Sequence, residues 1–182
     1  MNPECEQNDS NDQTYISFPH DLSWITDQLA VSRCFPPDYV VELAGTHGIR
    51  AVIDLREECC DDELELARHH IALLHLPTPD TLTPRQNMLD EGVAFARGHM
   101  RSGGRVLIHC QHGIGRSALL ALCVLVDLGH EPLAALSLAK DRRAAVSPSH
   151  DQYLGWAEWL RRHGHDAPDA HSFGCIAYRH PA

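Results

Sequence analysis

The chain predicts a single-domain α/β fold: a central, mostly parallel twisted sheet flanked by helices. Three observations predict it. Three short, continuous apolar runs, 50–55, 71–76 and 105–109, have the composition of strands buried on both faces. Helical patterns separate and follow them, and strands alternating with helices build a parallel layer. At 182 residues and 43% hydrophobic, the chain has length for one normal core but not comfortably for two.

In chain order, residues 1–14 are polar, acidic and rich in Asn, Asp and Gln, which predicts a disordered tail ahead of a catalytic body over 15–163. The stretch 15–32 predicts one or two antiparallel edge strands, around Trp24-Ile25 and Leu29-Ala30-Val31. Val40, Leu43 and Ala44 share a helix face before the first apolar run, and 62–69 is a short helix before the second. Thr83-Pro84-Arg85-Gln86 has the form of a capping box with proline at N1, opening a helix to about Met100 with the stripe Met88, Leu89, Val93, Ala96 and Met100. After the third run, 118–125 is an apolar helix and 132–142 another. Ser147-Pro148 starts a last helix with Tyr153, Trp156, Ala157 and Leu160 on one face, their aromatic rings serving the core. Residues 164–182 show no period and predict an irregular tail that packs on the body.

Composition excludes several classes. There is no apolar stretch near twenty residues and no basic-then-apolar N-terminus, so neither a membrane span nor a signal peptide is indicated. A net charge of −10 argues against nucleic acid or an anionic membrane as partner. Of the fourteen histidines, the pairs His69-His70 and His163/His165 lack companion ligands at zinc-site spacing, so no metal or other cofactor is expected. Seven irregularly spaced cysteines do not form a secreted disulfide framework, and a nucleophilic thiolate needs the reducing surroundings of the cytoplasm. Cys59 and Cys60 are either unreactive thiols or partners for an oxidised Cys110.

Function is concentrated in His109-Cys110-Gln111-His112-Gly113-Ile114-Gly115-Arg116-Ser117. A strand precedes it and an apolar helix follows, so the loop sits at a helix N-terminus, where backbone N–H groups of Gln111, His112, Gly113, Ile114 and Gly115 can surround an anion. A cysteine held there near a cation is readily ionised, which makes Cys110 a candidate nucleophile. Arg116 can hold two phosphate oxygens bidentately and stabilise transferring charge. Ser117 can hydrogen-bond the sulfur when it departs, and His109 orients the loop from behind.

The pattern H-C-x-x-G-x-x-R-S resembles the signature of the cysteine-dependent protein tyrosine phosphatase superfamily. That resemblance implies a phosphocysteine intermediate, and a carboxyl that protonates the leaving oxygen and then activates water. In dual-specificity-type members the acid lies on a loop about thirty residues upstream of the nucleophile. It therefore assigns that role to Asp80, on the proline-stiffened loop Pro77-Thr78-Pro79-Asp80 and the only carboxylate between that strand and the next helix. The late cysteine and modest length place the chain near the small atypical dual-specificity phosphatases, although Ala118 stands where many members have glycine. Arg142, Arg143 and Gln152 fall where members often have residues that shape the site or position water.

The loops 56–60, 77–83 and 110–116 should converge at the carboxyl ends of the strands, with Arg56 and Glu57 either lining the rim or forming a surface ion pair. The loop offers Gln111, His112 and Ile114 rather than lysines, which favours a monophosphorylated substrate. Phosphotyrosine and phosphoserine or phosphothreonine in proteins lead. The alternatives are a small-molecule or lipid phosphate, a non-catalytic phosphoprotein-binding module and, on the cysteine loop alone, a rhodanese-like sulfur carrier.

Overall fold

The structure, a computed structural model, describes residues 21–179. The tail expected over 1–14 lies outside the described residues. Five strands form one sheet: β1 (Ser23–Trp24), β2 (Leu29–Ser32), β3 (Ile49–Arg56), β4 (Ala72–Thr78) and β5 (Arg105–His109), in the order β1-β2-β5-β3-β4. β2, β5, β3 and β4 run parallel, and β1 alone is antiparallel, paired with β2.

β2 corrects the expectation of an antiparallel edge. It lies inside the sheet, parallel to β5, in a register from Leu29 opposite Val106 to Ser32 opposite His109. All four of its residues are buried, which is the pattern of a strand covered on both faces. The edge role falls to β1, which is only two residues long.

Among the described residues, seven α-helices cover the two faces: α1 (Val40–Gly45), α2 (Glu63–Arg68), α3 (Gln86–Arg101), α4 (Arg116–Asp127), α5 (Pro132–Arg142), α6 (His150–Arg162) and α7 (Ala170–Ala177). Side chains alternate across the strands. Ala30, Val52 and Leu107 join α1 and α2 in a small core, whereas Val31, Ile53 and Ile108 face the large core built with α3 to α7. Every residue of α4 from Arg116 to Val126 is buried, so this helix is the central strut of the large core. Each of its fully buried leucines contributes roughly 1.5–3 kcal/mol of hydrophobic stabilisation.

Two helix starts differ from expectation. α3 begins at Gln86 after Arg85, with no side-chain cap; Thr83 is drawn instead to α6, its N–H donating to Asp151 Oδ2 at 2.7 Å and its hydroxyl to the Asp151 carbonyl at 2.7 Å. α6 is capped by Ser149 rather than opened at Ser147-Pro148. Gln152 N–H donates to Ser149 Oγ, and Ser149 N–H donates back to Gln152 Oε1, a complete capping box.

The segment expected to be an irregular tail instead carries α7, capped by Asp169. Phe173 is buried 4.8 Å from the ring of Tyr153 and 6.0 Å from that of Trp156, and Tyr178 donates to the Pro148 carbonyl at 2.8 Å. α7 thereby buttresses the start of α6. Among the described residues no helix is long and apolar enough to cross a membrane.

Candidate active site

β3, β4 and β5 end on the same edge of the sheet, and the loops after them meet there. Between His109, the last residue of β5, and Arg116, the first of α4, the chain makes a tight turn whose carbonyls at residues 111–114 are taken from outside. The Gln111 carbonyl accepts from Cys34 N–H at 3.3 Å and that of Ile114 from Ser147 N–H at 3.0 Å. Arg143 donates to the carbonyls of Gly113 at 2.7 Å and His112 at 3.2 Å, and is itself held by the Asp21 carboxylate at 3.1 Å and the Asp21 carbonyl at 2.6 Å. With its carbonyls tied outward, the loop turns N–H groups inward. Gly113 N–H points at Cys110 Sγ, 3.3 Å away. Gly113 has φ +67°, and a Cβ there would lie 2.5 Å from Arg143 Nη2 and from the Ser32 carbonyl oxygen, so both conformation and space require glycine.

Cys110 is a free, buried thiol 3.2 Å from Ser117 Oγ. Burial pushes its pKa up, but the Ser117 hydroxyl and N–H, the Arg116 charge and the Gly113 N–H together outweigh burial and hold it below the ordinary thiol value. The other thiols with a resolved shift go the opposite way. Burial raises Cys34, and burial together with the carboxylates of Asp54 and Asp61 raises Cys60.

Arg116 brings the three loops together. Its Nη1 donates to Glu58 Oε2 and to the Thr78 carbonyl, each at 2.8 Å, and its Nη2 donates to Glu58 Oε1 at 2.8 Å. Asp80 Oδ1 lies 3.3 Å from Nη2. The Arg116 Nε is buried and has no hydrogen-bond partner among the described residues. Asp80 is otherwise open to solvent, its side chain 63% exposed. Burial alone would raise Glu58, but its hydrogen bonds and the Arg116 charge hold it below the usual carboxylate range.

His109 sits under the loop, wholly buried at the end of β5, in a cluster of charges. Its Nε2 is 2.7 Å from Asp61 Oδ2 and 3.8 Å from Asp54 Oδ1, and Phe35 packs at 4.9 Å on its ring. Arg56 grips Asp54 with two bonds, Nε to Oδ1 at 3.0 Å and Nη2 to Oδ2 at 2.9 Å, and reaches Asp61 at 2.5 Å. Burial pushes the imidazole down, yet the two carboxylates prevail and raise it above its usual value. Asp61, despite its own burial, is held below the carboxylate range by His109 and Arg56. Ligand atoms of Asp54, Asp61 and His109, and of Asp54, Cys60 and His75, lie within 4.8 Å of one another, the reach of a metal site. Both Asp54 oxygens already accept from Arg56, however, so a guanidinium is the cation of this cluster.

The structure thus brings Cys110, Arg116, Ser117 and Asp80 together, with His109 behind them and Gly113 and Gly115 in the turn. The side chain of Gln111 is half-buried, His112 is exposed, and Ile114 is 39% exposed. Arg56 is neither a rim residue nor part of a surface pair; it is buried beneath the site, and Glu58 rather than Glu57 lines the rim, bonded to Arg116. Arg143 secures the nucleophile loop from outside. Gln152 stands against Gly115, where a Cβ would come within 2.4 Å of its Oε1, and donates to the Leu82 carbonyl at 3.1 Å. Glu58 and Asp61 were missed by sequence reading. The signal available was a run of acidic residues at the end of a buried strand, which does not say which of them turns inward.

Comparison with known proteins bears on the family and the fold. Residues 37–161 match the dual specificity phosphatase catalytic domain. The chain is 33% identical over 107 residues to mouse dual specificity protein phosphatase 2, covering 56% of this chain and 31% of that protein. It is 30% identical over 110 residues to Xenopus laevis dual specificity protein phosphatase 1-A, covering 59% and 29%. It therefore spans about a third of the length of the curated relatives it matches. Among solved structures, the active form of Tk-PTP superposes with a TM-score of 0.72 at 26% identity over 79% of this chain and 98% of that one. PTPMT1 superposes with a TM-score of 0.72 at 21% identity, over 78% and 94%. With the matched domain extending across both the nucleophile loop and the Asp80 loop, the chain belongs to the dual specificity phosphatase catalytic-domain family.

Proposed function

We propose that this protein hydrolyses phosphate monoesters through a phosphocysteine on Cys110, with protein phosphotyrosine and phosphoserine or phosphothreonine as its substrates and the cytoplasm as its compartment. One observation carries the reading: a thiol of lowered pKa lies in the same turn as inward N–H groups and an arginine whose buried Nε has no partner among the described residues. Phosphate oxygens would accept from those N–H groups and from Nε, while Glu58 and Thr78 fix the guanidinium from its other edge.

The thiolate attacks phosphorus, forming the S–P bond as the P–O bond to the substrate breaks. Asp80, protonated, gives its proton to the leaving oxygen. Water then attacks the phosphocysteine, its proton passing to the Asp80 carboxylate, and the S–P bond breaks. Ser117 Oγ, 3.2 Å from Sγ, stabilises the departing thiolate. His109 keeps the base of the loop in place through its pair with Asp61.

The rim favours a singly phosphorylated group. Glu58 and Asp80 both approach Arg116, and the loop contributes no lysine to meet a second phosphate. PTPMT1 has been solved with PI(5)P, at 22% identity to this chain, so vesicles containing a phosphoinositide belong in the test panel.

The test is phosphate release by wild type and Cys110→Ser with a chelator present, on phosphotyrosine, phosphoserine and phosphothreonine peptides, phosphoinositides and sugar phosphates. Release from the peptides that persists with chelator and vanishes in Cys110→Ser is the expected result. Release confined to lipid or sugar phosphates overturns the protein-substrate assignment, and binding of phosphopeptides without release overturns the enzyme.

A further inference from the structure

Asp80 has little of its own to hold it: an exposed side chain whose contact with the site is one 3.3 Å approach to Arg116. General-acid catalysis requires the carboxyl within hydrogen-bond reach of the leaving oxygen, and a misplacement near 1 Å is costly. The residue after it, Thr81, has φ +62°, a left-handed conformation that a β-branched side chain adopts only under constraint.

That constraint comes from the first turn of α6. Ser149 Oγ donates to the Thr81 carbonyl at 2.7 Å and Gln152 Nε2 to the Leu82 carbonyl at 3.1 Å. Asp151 then takes Thr83 twice, its carboxylate accepting the Thr83 N–H and its carbonyl the Thr83 hydroxyl, each at 2.7 Å. One turn on, Gly155 lets the loop touch the helix, because a Cβ there would lie 2.1 Å from Thr83 Cγ2. α6 does not need the Asp151 carboxylate to begin, since Ser149 and Gln152 already cap it. The carboxylate is committed to the loop.

Building on the assignment of Asp80 as the acid, we infer that Asp151 is a positioning residue for the proton transfer: it latches Thr83 to α6 and so fixes where Asp80 meets the leaving oxygen. Asp151 touches no reacting atom. Its loss should therefore matter in proportion to how much the leaving group needs a proton.

The experiment is a leaving-group series, phenyl, p-nitrophenyl and 2,4-dinitrophenyl phosphate, with kcat/KM measured for wild type, Asp151→Ala, Asp151→Asn and Asp80→Asn. In Asp151→Ala, kcat/KM on phenyl phosphate is expected to fall about tenfold and on the dinitrophenyl ester less than about twofold. Inhibition by inorganic phosphate should be unchanged, and Asp151→Asn, which keeps an acceptor oxygen, should recover most of the loss. An equal fall on all three esters, or none, overturns the latch. If Asp80→Asn shows no leaving-group selectivity, the acid assignment fails and the latch with it; if Asp80→Asn is selective and Asp151→Ala is not, the latch alone fails. Should Asp151→Ala not fold, Thr83→Val removes the hydroxyl half of the same contact and is expected to show the same selectivity at about threefold.

Discussion

The loop that carries the nucleophile and the loop that carries the acid leave the same edge of the same sheet, yet they are held in opposite ways. The nucleophile loop is fixed by buried groups, Arg143 across its carbonyls and the cluster His109, Asp61, Asp54 and Arg56 beneath it. The acid loop is fixed from the surface, by hydrogen bonds with Ser149, which donates to Thr81, and Asp151, which accepts from Thr83, that water can reach. A thiolate benefits from a dry setting, where charges and N–H dipoles act at short range and low dielectric. Asp80 gives its proton to the leaving oxygen and regains one from the attacking water, so its side of the site must admit water. The difference teaches that each loop's anchors match the chemistry of the group it carries, and that damage to them should appear in different measurements.

The largest effect is expected at Arg143. Arg143→Met leaves Asp21 without its cation and takes donors from the Gly113 and His112 carbonyls at once. Truncating one partner of such a network costs about 3 kcal/mol, which denaturant unfolding would read as a lowered midpoint at constant slope. Turnover should fall by roughly 10² or more, since the N–H groups around the sulfur lose their orientation. In contrast to Asp151→Ala, the fall should be the same for good and poor leaving groups; a leaving-group-selective loss would break the distinction between the loops.

Asp61→Asn should come next, at roughly 2–3 kcal/mol, because it leaves His109 and Arg56 buried with one carboxylate fewer. Its signature is in pH. His109 has its folded-state value raised, so its contribution is complete below the ordinary imidazole pKa and is lost as pH rises through the raised value. Asp61 has its value depressed, so its contribution is present above the ordinary carboxylate range and is lost as pH falls through the depressed value. Wild-type stability should therefore decline on the alkaline side of the imidazole range, and Asp61→Asn should flatten that decline. Urea midpoints from pH 5 to 9 would show it, and parallel curves for the two proteins would refute the pairing.

The contrast between the loops also explains what could be read from sequence. Cys110, Arg116, Ser117 and the glycines were legible because they are consecutive, and their chemistry demands that spacing. The parallel core strands were legible because burial on both faces leaves a continuous apolar run. Arg143 is a different case: its grip joins the nucleophile loop to Asp21 across 122 positions, a closure that no local pattern records. The capping box was assigned to Thr83 because Gln86 stands at the right offset, but Thr83 bonds α6 instead, and Ser149 with Gln152 forms the real box. α7 was invisible because eight residues are too few to carry a clear period; the buried Phe173 against Tyr153 holds it, rather than helix propensity.

Gly115 is where the two loops meet, and it offers a smaller test of their separation. A Cβ there would come within 2.4 Å of Gln152 Oε1, the far end of a side chain that also bonds the Leu82 carbonyl. Gly115→Ala should cost about 1–2 kcal/mol of stability, with Gln152 pushed from its capping position. Activity should carry both signatures, a general fall and an additional fall on phenyl phosphate. A purely general fall would mean that Gln152 belongs to the nucleophile loop alone.

The smallest effect is a shift in reactivity rather than a loss. The lowered pKa of Cys110 predicts that its alkylation by iodoacetamide reaches half its maximal rate at a lower pH than that of an ordinary thiol. Among the groups that outweigh burial, the Ser117 hydroxyl comes first, ahead of the Ser117 N–H, Arg116 and Gly113 N–H. Ser117→Ala should move that midpoint upward while leaving the latch of the acid loop, and hence leaving-group selectivity in the first chemical step, intact. A midpoint unmoved in Ser117→Ala would transfer the work to Arg116 and the loop N–H groups. A change in leaving-group selectivity would show that the two loops share more than the contact at Gly115.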